Sequence, residues 1–259
     1  MKVVILCGGK GTRLYEETEF KPKPLVEIGY MPILWHIMKI YSAFGYNEFI
    51  LALGYKGCMI KEYFLNYQEL SNDFTLNLRS KHSKIIYYNN SNPEDWNITF
   101  VDTGLETQTG ARIAKIKDFI GNDDNFFLTY GDGVSDVNIH DLYSFHIAQN
   151  KVLTLTGVHP PSPFGIITVE NGIVTSFKEK PLLSGLINGG FFVCNKKIFD
   201  YLSDHPDCIF EETPMKTLSK EKAIAVFEHN GFWFAIDTQK HVHELNKIYD
   251  SGNIPWKIW

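Results

Sequence analysis

The chain opens with Val3-Val4-Ile5-Leu6, an unbroken and largely β-branched apolar run. It passes at once into Cys7-Gly8-Gly9-Lys10-Gly11-Thr12-Arg13. A short run with no polar alternation reads as a strand covered on both faces, because neither side of its pleat meets water. The next segments fix the path that follows. Each proline in Lys21-Pro22-Lys23-Pro24 disfavours helix in the residue before it, so this stretch is extended. Pro32 opens a helix in which Ile33, Leu34, Ile37, Met38 and Tyr41 recur with helical period, and Gly45 ends it. Strand, glycine loop and helix in that order begin an α/β fold.

The alternation continues along the chain. The pattern predicts strands over 49–53, 125–130 and 152–158, and helices over 56–67 and 139–149. Strands separated by helices imply right-handed crossovers and a mostly parallel sheet. The last third reads as more antiparallel, with strands over 165–169, 173–178, 186–193 and 223–227 and a hairpin turn at Asn171-Gly172. A helix over 238–249 places Val242, Leu245 and Ile248 on one face. The stretch 66–97 is polar and rich in Asn and Ser, and reads as an insertion or flap. No repeat or linker interrupts the chain, so residues 1–259 are expected to form one domain with a small distal lobe.

Composition excludes several classes of function. With 25 Lys+Arg against 30 Asp+Glu the net charge is −5, which lacks the basic surplus needed to coat nucleic acid. No apolar run reaches bilayer-spanning length, so no membrane partner is expected. Cys7, Cys58, Cys194 and Cys208 form no C-x-x-C pair, consistent with a reduced, cytoplasmic chain. The nine histidines show no metal-ligand spacing, and Cys194 reads as a buried apolar residue.

Five segments could carry chemistry. Clustered glycines at Gly8, Gly9 and Gly11 let backbone amides close on anionic oxygens, and Arg13 adds a charged fork. The loop is neither a P-loop nor a dinucleotide fingerprint, and a tight turn with a surface arginine explains it equally well. Lys23, on its stiff arm, is either a phosphate contact or an ordinary linker residue. Asp132, between Gly131 and Gly133 at a strand end, suits Mg²⁺ bound through carboxylate and phosphate oxygens, the alternative being a glycine turn with a capping Asp. Asp237 precedes a helix, and its local reading is an N-cap. Glu179, Lys180, Asn188 and Gly189 offer groups that a sugar phosphate needs, but a salt-bridged strand end and a β-bulge account for them as well.

Taken together, these segments resemble the sugar-phosphate nucleotidylyltransferases. Gly8-Gly9-Lys10-Gly11-Thr12-Arg13-Leu14 is similar to that family's opening signature, and Lys23, Gly131-Asp132-Gly133, Glu179-Lys180-Pro181 and Asn188-Gly189-Gly190-Phe191 follow in its order. The later segments resemble the subgroup that transfers cytidylyl groups to glucose 1-phosphate. They include Trp96-Asn97, Val101-Asp102-Thr103-Gly104, Thr109-Gly110, His229-Asn230-Gly231-Phe232-Trp233 and Pro255-Trp256-Lys257.

The resemblance implies a Rossmann-like, mostly parallel mixed sheet flanked by helices, with a small antiparallel distal lobe. It implies that CTP and a sugar 1-phosphate bind, that Mg²⁺ is the cofactor and that the chain forms a homo-oligomer. Leu6, Cys7, Gly8, Gly9, Lys10, Gly11, Thr12 and Arg13 would wrap the triphosphate, with Thr107, Arg112 and Gly131 beside the nucleotide. Arg13, Lys23 and Asp132 would be catalytic, and Asp132 and Asp237 would be the metal ligands. Gly165, Glu179, Lys180, Asn188 and Gly189 would face the sugar phosphate. The chain departs from the subgroup at Pro163, usually arginine, and at Phe234-Ala235-Ile236, usually Gln-Pro-Met.

Overall fold

The computed structural model describes residues 1–79, 84–88, 94–162 and 164–259. Strand β1, Val3–Cys7, is buried along its whole length. Its pleat sends Val3, Ile5 and Cys7 to one core and Val4 and Leu6 to another. This is why its sequence carries no polar alternation. In chain order there follow α1 (Ile33–Ser42), β2 (Glu48–Leu53), α2 (Gly57–Leu65), β3 (Asn97–Asp102) and α3 (Thr109–Lys115). Next come β4 (Asn125–Tyr130), α4 (Ile139–Gln149), β5 (Leu153–Val158), β6 (Ile187–Asn188) and β7 (Phe192–Asn195). Helix α5 (Thr213–Lys220), β8 (Ile224–His229) and α6 (Gln239–Asp250) complete the frame.

The central sheet runs β3-β2-β1-β4-β7-β5-β8, with β6 beside β7 on the same edge of β5. Strands β1, β2, β3 and β4 are mutually parallel, and β7 runs antiparallel to both β4 and β5. Helices α1, α2, α4 and α6 cover one face, through residues such as Ile37, Ile60, Leu142 and Leu245. Helices α3 and α5 cover the other, through Ile113 and Leu218. The fold is the mostly parallel mixed sheet that the alternation implies.

Some expectations need correction. The antiparallel reading of the last third holds for the pair Ile166–Glu170 and Ile173–Lys178, which turns at Asn171 and Gly172 with positive φ at both. It fails for β8, which runs parallel to β5 over six residues. Helix α5 lies between them in sequence and carries the chain back to the starting end, as a parallel pair requires. The single strand expected over 186–193 is broken into β6 and β7, because Gly190 and Phe191 both take positive φ.

The flap expected over 66–97 includes residues 80–83 and 89–93, which lie outside the described residues, as does Pro163. Its described part holds a helical turn, Tyr67–Ser71, and an antiparallel pair, Phe74–Asn77 with Lys84–Tyr87.

Candidate active site

The chain leaves β1 for β2 and β3 on one side, while β4 flanks β1 on the other. Ligands of open α/β sheets bind at such a reversal, beyond the carboxyl ends of the strands. The loops that emerge there carry Gly8 to Arg13 after β1 and Gly131-Asp132 after β4. Gly11 takes a left-handed conformation (φ 62°), which turns the loop into the short 3₁₀ turn Thr12–Leu14. Lys23 follows Pro22, which is extended as the prolines imply, but the expected extension stops there: Lys23–Leu25 form a short 3₁₀ turn, with Pro24 inside it.

Two carboxylates 105 positions apart meet on Lys23. Its Nζ lies 2.6 Å from Asp132 Oδ2 and 2.9 Å from Asp237 Oδ1. Burial alone would lower the Lys23 pKa, but the two carboxylates outweigh it and hold the pKa above its ordinary value. Arg13 Nη2 lies 3.1 Å from the same Asp237 oxygen, with its side chain 76% exposed against 13% for Lys23. The lysine is therefore fixed, while the arginine can reach outward.

Asp237 is not the N-cap. Thr238 takes that position and accepts the backbone N–H of His241, while the Asp237 N–H donates to His241 Nδ1. The Asp237 carboxylate is thereby left to the site.

Two cavities meet at this cluster. The larger, about 460 Å³, is lined by Leu6, Cys7, Gly8, Gly9, Gly11, Thr12, Thr107, Arg112 and Gly131, among others. The second, about 360 Å³, is lined by Asn188, Gly189, Trp233 and Ala235, among others. Arg13, Tyr130, Asp132 and Asp237 line both and form the wall between them.

Other residues singled out in the sequence sit differently. Lys10 turns away from the first cavity and pairs with Glu106 at 2.7 Å. Gly165, Glu179 and Lys180 flank the Ile166–Glu170 hairpin and line neither cavity. Thr107 is buried, and its hydroxyl donates to the Thr103 carbonyl. Arg112 is buried too and is held by protein. Its guanidinium donates to the carbonyls of Gly8, Leu53, Gly104 and Leu105 and to Thr103 Oγ1. A Cβ on Gly8 would lie 2.2 Å from that guanidinium, so the glycine admits the arginine. Burial raises the pKa of the Cys7 thiol, which leaves it protonated and no nucleophile.

Sequence reasoning missed Tyr130 and Glu211. Tyr130 Oη donates to Glu211 Oε1 at 2.6 Å in the wall between the cavities. A tyrosine ending a buried strand needs a partner for its hydroxyl, which was the available signal for Tyr130. Glu211 lies 81 positions away, and nothing local marks it.

Residues 2–251 match the family model described as Nucleotidyl transferase. The chain belongs to the nucleotidyl transferase family. A Bacillus subtilis (strain 168) protein named "Probable glucose-1-phosphate cytidylyltransferase" is 50% identical over 259 residues, covering 100% of both chains. The Salmonella typhi protein named "Glucose-1-phosphate cytidylyltransferase" is 45% identical over 260 residues, again covering 100% of both. Among solved structures, a UDP-glucose pyrophosphorylase from Acinetobacter baumanii is 17% identical with a TM-score of 0.70. The match covers 98% of this chain and 95% of that one, so the nucleotidyl transferase fold is shared.

Proposed function

We propose that the enzyme joins CTP and α-D-glucose 1-phosphate to give CDP-glucose and pyrophosphate. The observation that carries this reading is the shared wall: Arg13, Asp132 and Asp237, with Lys23 between the carboxylates, stand where a glycine-lined cavity meets a second one that holds Asn188 and Trp233. The full-length identity to relatives named for this reaction supports the choice of base and sugar.

In the reaction a phosphate oxygen of the sugar phosphate attacks the α-phosphorus of CTP. A P–O bond forms there, and the bond to the β-phosphate oxygen breaks, releasing pyrophosphate. The nucleophile is already an anion, so no serine, cysteine or general base is needed. The barrier lies in bringing anions together and in line. The Gly8 to Thr12 loop would receive the triphosphate. Lys23 would touch the α-phosphate, and Arg13 would offset charge on the departing pyrophosphate. Asn188 and Gly189 would face the sugar.

The site also fits a divalent cation, which we read as Mg²⁺. Asp132 and Asp237 already bracket one positive centre, and both offer hard oxygen ligands. Among the described residues no set of three His, Cys, Asp or Glu gathers, so substrate oxygens and water would complete the shell. The ion would supply electrostatic stabilisation of phosphate charge.

The homo-oligomer is read on the same terms. Phe74, Leu76, Leu78, Ile86 and Tyr88 on and beside the Phe74–Asn77 pair are exposed, and light scattering would measure the assembly. No helix among the described residues is long and apolar enough to cross a membrane.

Pyrophosphate release across four NTPs and several sugar 1-phosphates tests the reading. CTP with glucose 1-phosphate is expected to dominate. Equal use of UTP or dTTP would remove the cytidylyl assignment.

A further inference from the structure

A chain of hydrogen bonds joins the two cavities without passing through the charged cluster. Asn188, in the second cavity, donates from Nδ2 to Tyr130 Oη at 3.1 Å. Tyr130 donates to Glu211 Oε1 at 2.6 Å. Thr109, in the first cavity, donates to Glu211 Oε2 at 2.6 Å, and its oxygen accepts the Phe210 N–H at 2.9 Å.

The direction of every bond follows from one charge. A carboxylate only accepts, so the single proton of Tyr130 and that of Thr109 both point at Glu211. The Tyr130 oxygen is then left to accept, and Asn188 must turn its NH₂ toward it. The other end of that amide is fixed as well, because Asn188 Oδ1 accepts the Gly190 N–H at 3.0 Å.

We infer that Glu211 is a positioning residue, which through Tyr130 and together with the Gly190 N–H holds the Asn188 amide at the sugar-side cavity. Its second oxygen holds the start of α3 beside the nucleotide-side cavity through Thr109. The inference rests on the reading of Asn188 as a sugar contact. With glutamine at 211, the amide oxygen still accepts from Thr109. Its NH₂ then faces Tyr130, whose proton is freed toward Asn188. The nucleotide side keeps its bond, while the Asn188 amide loses its acceptor at Tyr130 and is held by the Gly190 N–H alone.

The test is the steady-state kinetics of Glu211→Gln and Tyr130→Phe in the full chain, with CTP and glucose 1-phosphate. In both variants KM for the sugar phosphate should rise by about tenfold or more, with the CTP KM within roughly threefold of the starting value. The double variant should be no worse than the poorer single, since both break one chain. A sugar-phosphate KM unchanged in both, or KM values rising together with a lowered Tm, would overturn the inference. If Glu211→Gln does not fold, Tyr130→Phe decides alone, because it removes one oxygen. A starting enzyme that releases no pyrophosphate from CTP and a sugar 1-phosphate would instead overturn the proposed function.

Discussion

Lys23 neutralises two carboxylates that would otherwise repel each other across the site, and each of the three side chains depends on the others. Asp132→Ala removes one arm of this arrangement at the end of β4 while leaving the buried strand intact. Pyrophosphate release is expected to fall by at least about two orders of magnitude, the scale of losing one electrostatic contact to a transition state. Near-normal turnover at low Mg²⁺ would contradict that role. Arg112 presents a different case. It meets the nucleotide-side cavity, yet its donors are spent on four carbonyls and a hydroxyl from three separate segments. Arg112→Ala would remove all of these bonds at once: the Gly8 and Leu53 carbonyls keep the N–H groups of Tyr55 and Thr103, while those of Gly104 and Leu105 lose the guanidinium, at a cost of about 3 kcal/mol or more of stability. Urea unfolding should show that loss together with a raised CTP KM. A raised KM at unchanged stability would mean that the guanidinium acts on the nucleotide alone.

The start of α6 shows how one residue of capping frees another for chemistry. Thr238→Ala should cost about 1 kcal/mol by thermal unfolding, and it should also lower activity, because Asp237 is held by the same turn. This is where local reading failed: aspartate before a helix is a common cap, and nothing nearby shows that its neighbour has taken the position. The opening of the fold was legible for the opposite reason. In β1, the glycine loop and α1, apolar run, turn chemistry and helical period follow one another with no gap. Strand β3 and helix α3 escaped notice, since Asn97–Asp102 is only half-buried and Thr109–Lys115 is short and carries Gly110. The parallel run of β8 along β5 depends on a crossover, which no strand pattern displays. In the site, Asp132 was marked by its place at a strand end, whereas the prolines around Lys23 left a phosphate contact and an ordinary linker both open. Glu211 was not marked, because its partners lie 81 and 102 positions away.

Across the whole molecule, two buried histidines tie stability to pH. His36 donates from Nε2 to the Ile28 carbonyl and accepts the Trp256 indole N–H at Nδ1, so both ring nitrogens are used in the neutral form. Burial lowers its pKa to about 4, and His146 is lowered to about 4 by the same cause. A base whose pKa falls on folding binds its proton more readily unfolded. Stability is therefore full above the ordinary histidine pKa and is lost as pH falls from there toward 4. For His36 alone, about 2 kcal/mol should disappear between pH 7 and pH 5, and His36→Gln should flatten the slope of urea unfolding over that range. The contact between His36 and Trp256 spans 220 positions. Trp256 is fully buried in the same core as Ile33, Leu34 and Ile37 of α1. At about 5–20 residues per second, a ribosome takes roughly 10–45 s to travel between the two residues. For that interval the apolar face of α1 waits without the indole that will cover it, so the nascent chain is at its stickiest just before synthesis of the segment that seals it.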